Sequence, residues 1–403
     1  MRGLLTLFAT MIFIPAFAQR SCVVTSLYEE KGNTVYESFR DTVPDELITI
    51  PVVVHVLYNQ SHQNISDAQV KSQIDALNAD FRLRNLDASM VPQAFRGAMA
   101  DTRIMFCLAK VDPNGRSTTG INRKYTNTSA FTAAESMKFT ASGGVDAWDT
   151  RRYLNIWVCN MFGRSLGYAT MPGGPADKDG IVINFDVFGT TGFLRAPFNK
   201  GRTATHEVGH WLGLKHIWGD ALCGSDDVDD TPEQKSYNYY CPSFPKMSTC
   251  SPDQNGDMFM NFMDLTDDAC MNMFTQGQKQ KMRSVFASGS PRNMILGSFV
   301  CDSSYATGGP LPQDPLPTAD VKPMDVLVFP NPATSSVTIS PMNELDLAGA
   351  KVTVRDTRGI VVSRNILTHS SSNQLDMRLL STGIYFVRIV KDGFVKQVRV
   401  VKI

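Results

Sequence analysis

The sequence predicts an α+β domain built on a mixed, twisted sheet with a metal-binding helix, followed by a small all-β sandwich. Three observations carry this expectation. Strand-like and helical periods alternate over the first part of the chain, the pattern of a sheet covered by helices. A histidine-rich segment, His206 to His216, has helical spacing. A proline-rich stretch then gives way to short alternating runs separated by turn residues. The 403 residues exceed one compact core and suggest two or three folded units, at roughly 150 residues each. Lys and Arg total 39, as do Asp and Glu. That balance leaves no basic excess for nucleic acid or an anionic membrane, so neither is expected as a partner.

The elements follow in order. Arg2, the apolar run Leu4 to Phe17 and the small-x-small Ala16-Phe17-Ala18 predict a secretory signal over 1–18. The run is shorter than the ~20 residues a spanning helix needs, and Pro15 weakens it further. No later segment is long and apolar enough to span a bilayer, so the mature chain is expected to have no transmembrane segment. Residues 19–46 are polar and aperiodic, as in a pro-segment. Ile48 to Tyr58 is β-branched and apolar, a buried strand. Ser66 can cap a helix along which Val70, Ile74, Leu77 and Phe81 repeat at helical spacing. Further strands are expected at 104–111, 153–159 and 180–185. A linker spans 302–324, marked by Pro310, Pro312, Pro315, Pro317 and Pro323. Over 325–403, strands are expected at 326–329, 336–339, 351–356, 360–363, 384–390 and 395–401. Arg358-Gly359 and Asp392-Gly393 are among the turns between them.

Export changes how the cysteines read, because thiols leaving the cytosol tend to pair. Cys223, Cys241, Cys250 and Cys270 crowd a loop-rich stretch with little apolar period, where disulfides are the expected staples. Spacing alone leaves three pairings open. Cys107 and Cys159 lie in strand-like runs and read as buried thiols or a chance pair.

Residues 206–216 read His-Glu-Val-Gly-His-Trp-Leu-Gly-Leu-Lys-His. A four-residue step is about one helical turn, so His206 and His210 share a face and can share a metal. Gly213 allows the positive φ that breaks the helix and brings His216 round as a third ligand. Three imidazoles leave one tetrahedral position of a zinc ion for water, the pattern of a catalytic rather than a structural site. Glu207, one residue on, is placed to act as general base on that water. The competing reading is an ordinary amphipathic helix with surface histidines. It leaves the glycine break unexplained, and three of the chain's six histidines fall in this segment. The extended motif resembles the signature of the metzincin clan. Downstream, Asn261-Phe262-Met263-Asp264 is expected to form that clan's methionine turn, with Met263 as an apolar floor under the ligands.

These segments together resemble the pappalysin family of metzincins, over about Ile48 to Cys301. The resemblance rests on Ile50 to Val56, Leu154 to Cys159, Thr205 to Asp220, Asp229 to Pro232 and Asn261 to Cys270. It implies a metzincin-like catalytic domain over 47–301, His206, His210 and His216 as zinc ligands, Glu207 as base, and the pairs Cys223–Cys250 and Cys241–Cys270. It also implies calcium near the acidic loop, with Asp227 and Thr231 as expected ligands among Asp226, Asp229 and Asp230; the plainer reading is a solvated acidic loop. Two departures stand out. Leu265 occupies the place of a tyrosine that stabilises the reaction intermediate, and Met271 that of an acid in members selective for basic residues. On that ground Met271 is expected to relax such selectivity. Arg20-Ser21-Cys22 resembles a latency switch, with Cys22 as a zinc ligand in the zymogen; otherwise Cys22 is an unpaired thiol or a partner for Cys301.

The tail resembles the sorting domain of the type IX secretion system, through Val328-Phe329-Pro330-Asn331-Pro332-Ala333 and Gly383-Ile384-Tyr385-Phe386-Val387. This implies export through the periplasm of an outer-membrane bacterium, that machinery as a partner, and a secreted or cell-surface location. The expected function is zinc-dependent endoproteolysis of protein or peptide substrates. The rivals are a zinc hydrolase of a non-peptide amide and a non-catalytic metal-binding adhesin.

Overall fold

The computed structural model describes residues 47–163, 165–251, 254–287, 289–303, 306, 326–342, 345–356, 361–391 and 394–403. The expected signal and pro-segments with Cys22, most of the expected linker, and the turns expected at Arg358-Gly359 and Asp392-Gly393 lie outside the described residues. The chain divides into two compact units, 1–109 with 119–298, and 110–118 with 299–403.

The first unit is built on a six-stranded sheet: β1 (Ile48–Tyr58), β2 (Ile104–Leu108), β3 (Ile121–Tyr125), β4 (Leu154–Cys159), β5 (Gly167–Ala169) and β6 (Ile181–Asn184). The order is β2-β1-β4-β6-β5, with β3 also pairing β1. All pairings are parallel except β5 on β6, so the mixed sheet ends on an antiparallel edge strand. Both faces are buried, which explains why β1 reads as an unbroken apolar run. Val52, Val54, Val56, Ile156, Val158, Ile181 and Ile183 join the main core. Their neighbours Leu57, Trp157, Cys159 and Val182 join a second apolar cluster, as the two-residue period of a strand requires.

Helix α1 (Asp67–Phe81) starts where expected: Ser66 Oγ accepts from Gln69 N at 3.1 Å. Its Val70, Ile74, Leu77 and Phe81 are buried, and it packs against β2 and against α2 (Arg202–Trp211). α2 in turn packs on β5 and β6. A third helix, α3 (Gln276–Ser284), opens with a capping box between Thr275 and Gln278. Cys107, read as a buried thiol or a chance partner of Cys159, is disulfide-bonded, and not to Cys159. Cys159 is a buried free thiol, its pKa driven up by burial.

The second unit carries β7 (Val326–Phe329), β8 (Ser336–Pro341), β9 (Lys351–Asp356), β10 (Val361–Ile366), β11 (Asn373–Asp376), β12 (Gly383–Lys391) and β13 (Phe394–Lys402). They form two antiparallel sheets, β10-β9-β12-β13 and β11-β8-β7. Alternate residues, among them Val337, Ile339, Val352, Val354, Val387 and Ile389, share one core, as in a sandwich.

Candidate metal centre

Every residue of α2 is buried, so both ends of the helix need partners inside the protein. At the start, Gly201 adopts φ 76°, and its carbonyl accepts from Gln73 Nε2 of α1 at 3.0 Å. Asp268 Oδ2 accepts from Lys200 N at 2.8 Å and Arg202 N at 3.3 Å, a carboxylate at the positive end of the helix. The Arg202 guanidinium donates to both Asp87 oxygens at 3.0 Å and to Met271 O at 2.9 Å. It also pairs with Asp80 Oδ1 at 3.1 Å and lies over the Phe262 ring at 5.1 Å. At the other end, Gly213 takes φ 90°, and Leu214 N donates to Gly209 O at 3.0 Å. Arg292, ion-paired with Asp179 at 2.6 Å, donates through Nε to Trp211 O at 2.7 Å.

This clamped helix and its turn bring the three histidines together. His210 Nε2 lies 3.1 Å from His206 Nε2 and 3.1 Å from His216 Nε2. The other ring nitrogens all face acceptors: His206 Nδ1 meets Phe262 O at 2.7 Å, His210 Nδ1 meets Leu214 O at 2.8 Å, and His216 Nδ1 meets an Asp220 carboxylate oxygen. An acceptor at each Nδ1 holds the proton there and leaves three Nε2 lone pairs pointing at one another. Without a cation that arrangement is repulsive. Ligands at ~2.0–2.1 Å from a tetrahedral zinc lie roughly 3.3–3.4 Å apart, close to the observed spacing. The donor set therefore fits zinc, and the three ligand atoms form one group within 4.8 Å. Burial and the neighbouring His216 push His210 down to about 3, so its ring is neutral at working pH. Burial alone would raise the Asp220 carboxyl, but its hydrogen bond with His216 and the nearby charges hold it below the usual range.

Glu207 is buried and adjoins Gly167 of β5, where an added Cβ would stand 3.1 Å from Glu207 Cγ. Met263 is fully buried beneath the helix: a Cβ on Gly209 would meet its sulfur at 2.5 Å. Its turn is tied down, with Met263 N donating to Asn261 Oδ1 at 2.9 Å and the Asn261 and Gln278 amides paired at 2.9 and 3.0 Å. Met263 O accepts from Ile217 N at 3.2 Å, next to the third histidine.

The expected pairs Cys223–Cys250 and Cys241–Cys270 both form, each with 5.6 Å between Cα atoms. Leu265 is buried and offers no hydroxyl. Met271, expected to relax selectivity for basic residues, is fully buried, and its carbonyl accepts from Arg202. Asp227 is ion-paired with Lys215 at 2.9 Å and with Lys281 at 3.7 Å. Thr231 Oγ1 instead donates to Asp226 Oδ1 at 2.8 Å. Sequence reasoning assigned no role to Asp220, Arg202, Gly209 or Trp218, whose ring stacks on His216 at 4.2 Å. Asp220 was in view as the fourth residue after His216, a spacing that fits a carboxylate partner for a ligand.

Three imidazoles converging on one point, with the buried Glu207 next in the chain to the first of them, define a metal-dependent hydrolase. The chain belongs to the pappalysin family and is a secreted zinc-dependent metalloendopeptidase. The family model described as pregnancy-associated plasma protein-A matches residues 141–287. An extracellular metalloprotease of Verticillium alfalfae is 31% identical over 254 residues, spanning 60% of this chain and 79% of that protein. Among solved structures, mature mirolysin of Tannerella forsythia, in complex with a cleaved peptide, is 49% identical. It covers 67% of this chain and 100% of its own, with a TM-score of 0.61. A promirolysin mutant from the same organism is 48% identical, covering 70% and 91%, with a TM-score of 0.64. A secretion-system C-terminal sorting domain matches residues 327–402. The protein is secreted or held at the cell surface. No helix among the described residues is long and apolar enough to cross a membrane.

Proposed function

We propose that His206, His210 and His216 hold one zinc ion, with Glu207 as general base for peptide-bond hydrolysis. The observation that carries this is the acceptor at every Nδ1, which aims three Nε2 lone pairs at one point. Zinc, when bound, supplies a Lewis acid that polarises the carbonyl and brings the pKa of water toward ~7. Glu207 takes a proton from the attacking water and returns it to the amine as the C–N bond breaks. β5 is an edge strand beside Glu207, and an extended peptide can pair along it, with its main chain providing the affinity. Glu207→Ala should abolish cleavage of a denatured protein while zinc content stays at one per chain. Retained cleavage would remove Glu207 from the mechanism.

The catalytic unit is assigned to 47–301 and the sorting unit to 325–403, with the type IX machinery as the partner that reads the tail. The sorting-domain match supports this. Latency through a pro-segment over 19–46, with Cys22 as a zinc ligand, is supported by the likeness to a pro-form of a relative. For calcium, Asp226 is a better donor than the ion-paired Asp227, with Thr231, whose Oγ1 donates to it at 2.8 Å, beside it. Asp226 is buried and its Oδ2 has no hydrogen-bond partner among the described residues. Burial pushes its carboxyl up to about 7, a cost that a bound divalent cation would relieve.

A further inference from the structure

Aromatic rings lead away from the third histidine toward solvent. His216 stacks on Trp218 at 4.2 Å, Trp218 meets Tyr237 edge-on at 5.5 Å, Tyr237 meets Tyr239 at 4.6 Å, and Tyr239 meets Tyr240 at 6.4 Å. Trp218 is buried, whereas Tyr237 and Tyr240 are 44% and 46% exposed. Leu222, Phe244 and Met247, from the same segment, are also exposed. Exposed aromatic rings that continue from a buried one mark a recognition site when the backbone beneath them is fixed. Here it is fixed. The disulfides Cys223–Cys250 and Cys241–Cys270 staple the segment. Tyr240 O accepts from Asp267 N at 3.0 Å, and Phe244 packs edge-on against Phe95 at 5.9 Å.

We propose that Tyr237 and Tyr240 form a substrate ledge that selects apolar or aromatic side chains flanking the scissile bond of an extended polypeptide. The inference rests on the metalloendopeptidase reading and adds its substrate preference. The occupant follows from continuity: the ladder begins on a ring that faces the reaction, so whatever lies over its outer rungs is chain on either side of the bond being cut. The chemistry follows from the rungs. Tyrosine gives a broad apolar face at low entropic cost, and ledges already held by disulfides lose little more on binding.

The test compares wild type with Tyr237→Ala, Tyr240→Ala and Tyr237→Phe on a peptide library varied on both sides of the cleaved bond. The alanine variants should lose about tenfold in kcat/KM on peptides with Leu or Phe in the affected position. Peptides with Asp or Gly there, and the zinc content, should not change, and the phenylalanine variant should match wild type. A uniform loss over all peptides, or none, overturns the ledge while leaving proteolysis intact. So does a wild-type dimer that the alanine variants dissolve without altering the profile, since the patch is then a self-interface. A wild-type enzyme that cuts no peptide overturns the underlying reading and the ledge with it.

Discussion

At position 209 the space available is less than one methyl group. Met263 sulfur lies 2.5 Å from where a Cβ would be, and both residues are fully enclosed. Gly209→Ala should therefore cost about 1–3 kcal/mol in denaturant unfolding, as overpacking does, and weaken zinc retention by lifting the helix off its floor. His55 is a second residue whose surroundings dictate its state. Its Nε2 lies 2.9 Å from Asn155 Oδ1, and its Nδ1 faces the Asn122 amide at 3.2 Å. One nitrogen thus donates and the other accepts, so the neutral ring is satisfied and a second proton would confront the Asn122 donor. Burial drives its pKa down to about 4. Between pH 6.5 and 4 the unfolded chain binds the proton and the folded one does not, so stability falls as pH drops through that window, by on the order of 3 kcal/mol in full. His55→Gln should flatten the melting temperature over that range; an unchanged slope would assign the acid sensitivity elsewhere. The three clustered histidines were legible because a shared metal would fix their spacing along one helix and the turn after it. Arg202 was not, because its partners Asp80, Asp87 and Met271 come together only in three dimensions.

At the scale of elements, α2 is gripped at both ends by buried arginines. Arg202 joins its start to α1 and to the segment after the methionine turn, and Arg292 closes its last turn against Asp179. Removing one partner of a buried pair strands the other. Arg202→Met should lower stability by about 3–5 kcal/mol and reduce zinc affinity, measured by denaturant titration and competition with a chelator. A loss below about 1 kcal/mol would mean the pairs are dispensable. The long strands β1 and β4 and the capped α1 were readable from period and composition. β3 was missed because Asn122, Arg123 and Lys124 break the apolar pattern, and β5 because Gly-Tyr-Ala is too short to show a period. In the second unit β11 was missed for the same reason: Asn373-Gln374-Leu375-Asp376 has one apolar residue.

For the molecule as a whole, calcium is expected to act on stability rather than chemistry. A cation bound only by the folded state at a hundred times its dissociation constant adds about 2.7 kcal/mol. Calcium should therefore raise the melting temperature of the wild type and leave that of Asp226→Asn unmoved; an equal rise in both would exclude the acidic loop. The two bridges after α2 carry a different implication. Each encloses one cysteine of the other, because Cys241 lies between Cys223 and Cys250, and Cys250 between Cys241 and Cys270. A chain emerging amino end first presents Cys223 and Cys241 to each other before either native mate has appeared. Any Cys223–Cys241 bond formed at that meeting must be undone by thiol exchange to reach the interleaved pattern. The clamps on α2 from Met271 O and Arg292 lie beyond Cys270 in the chain, so that helix is gripped only after the last of the four cysteines has emerged.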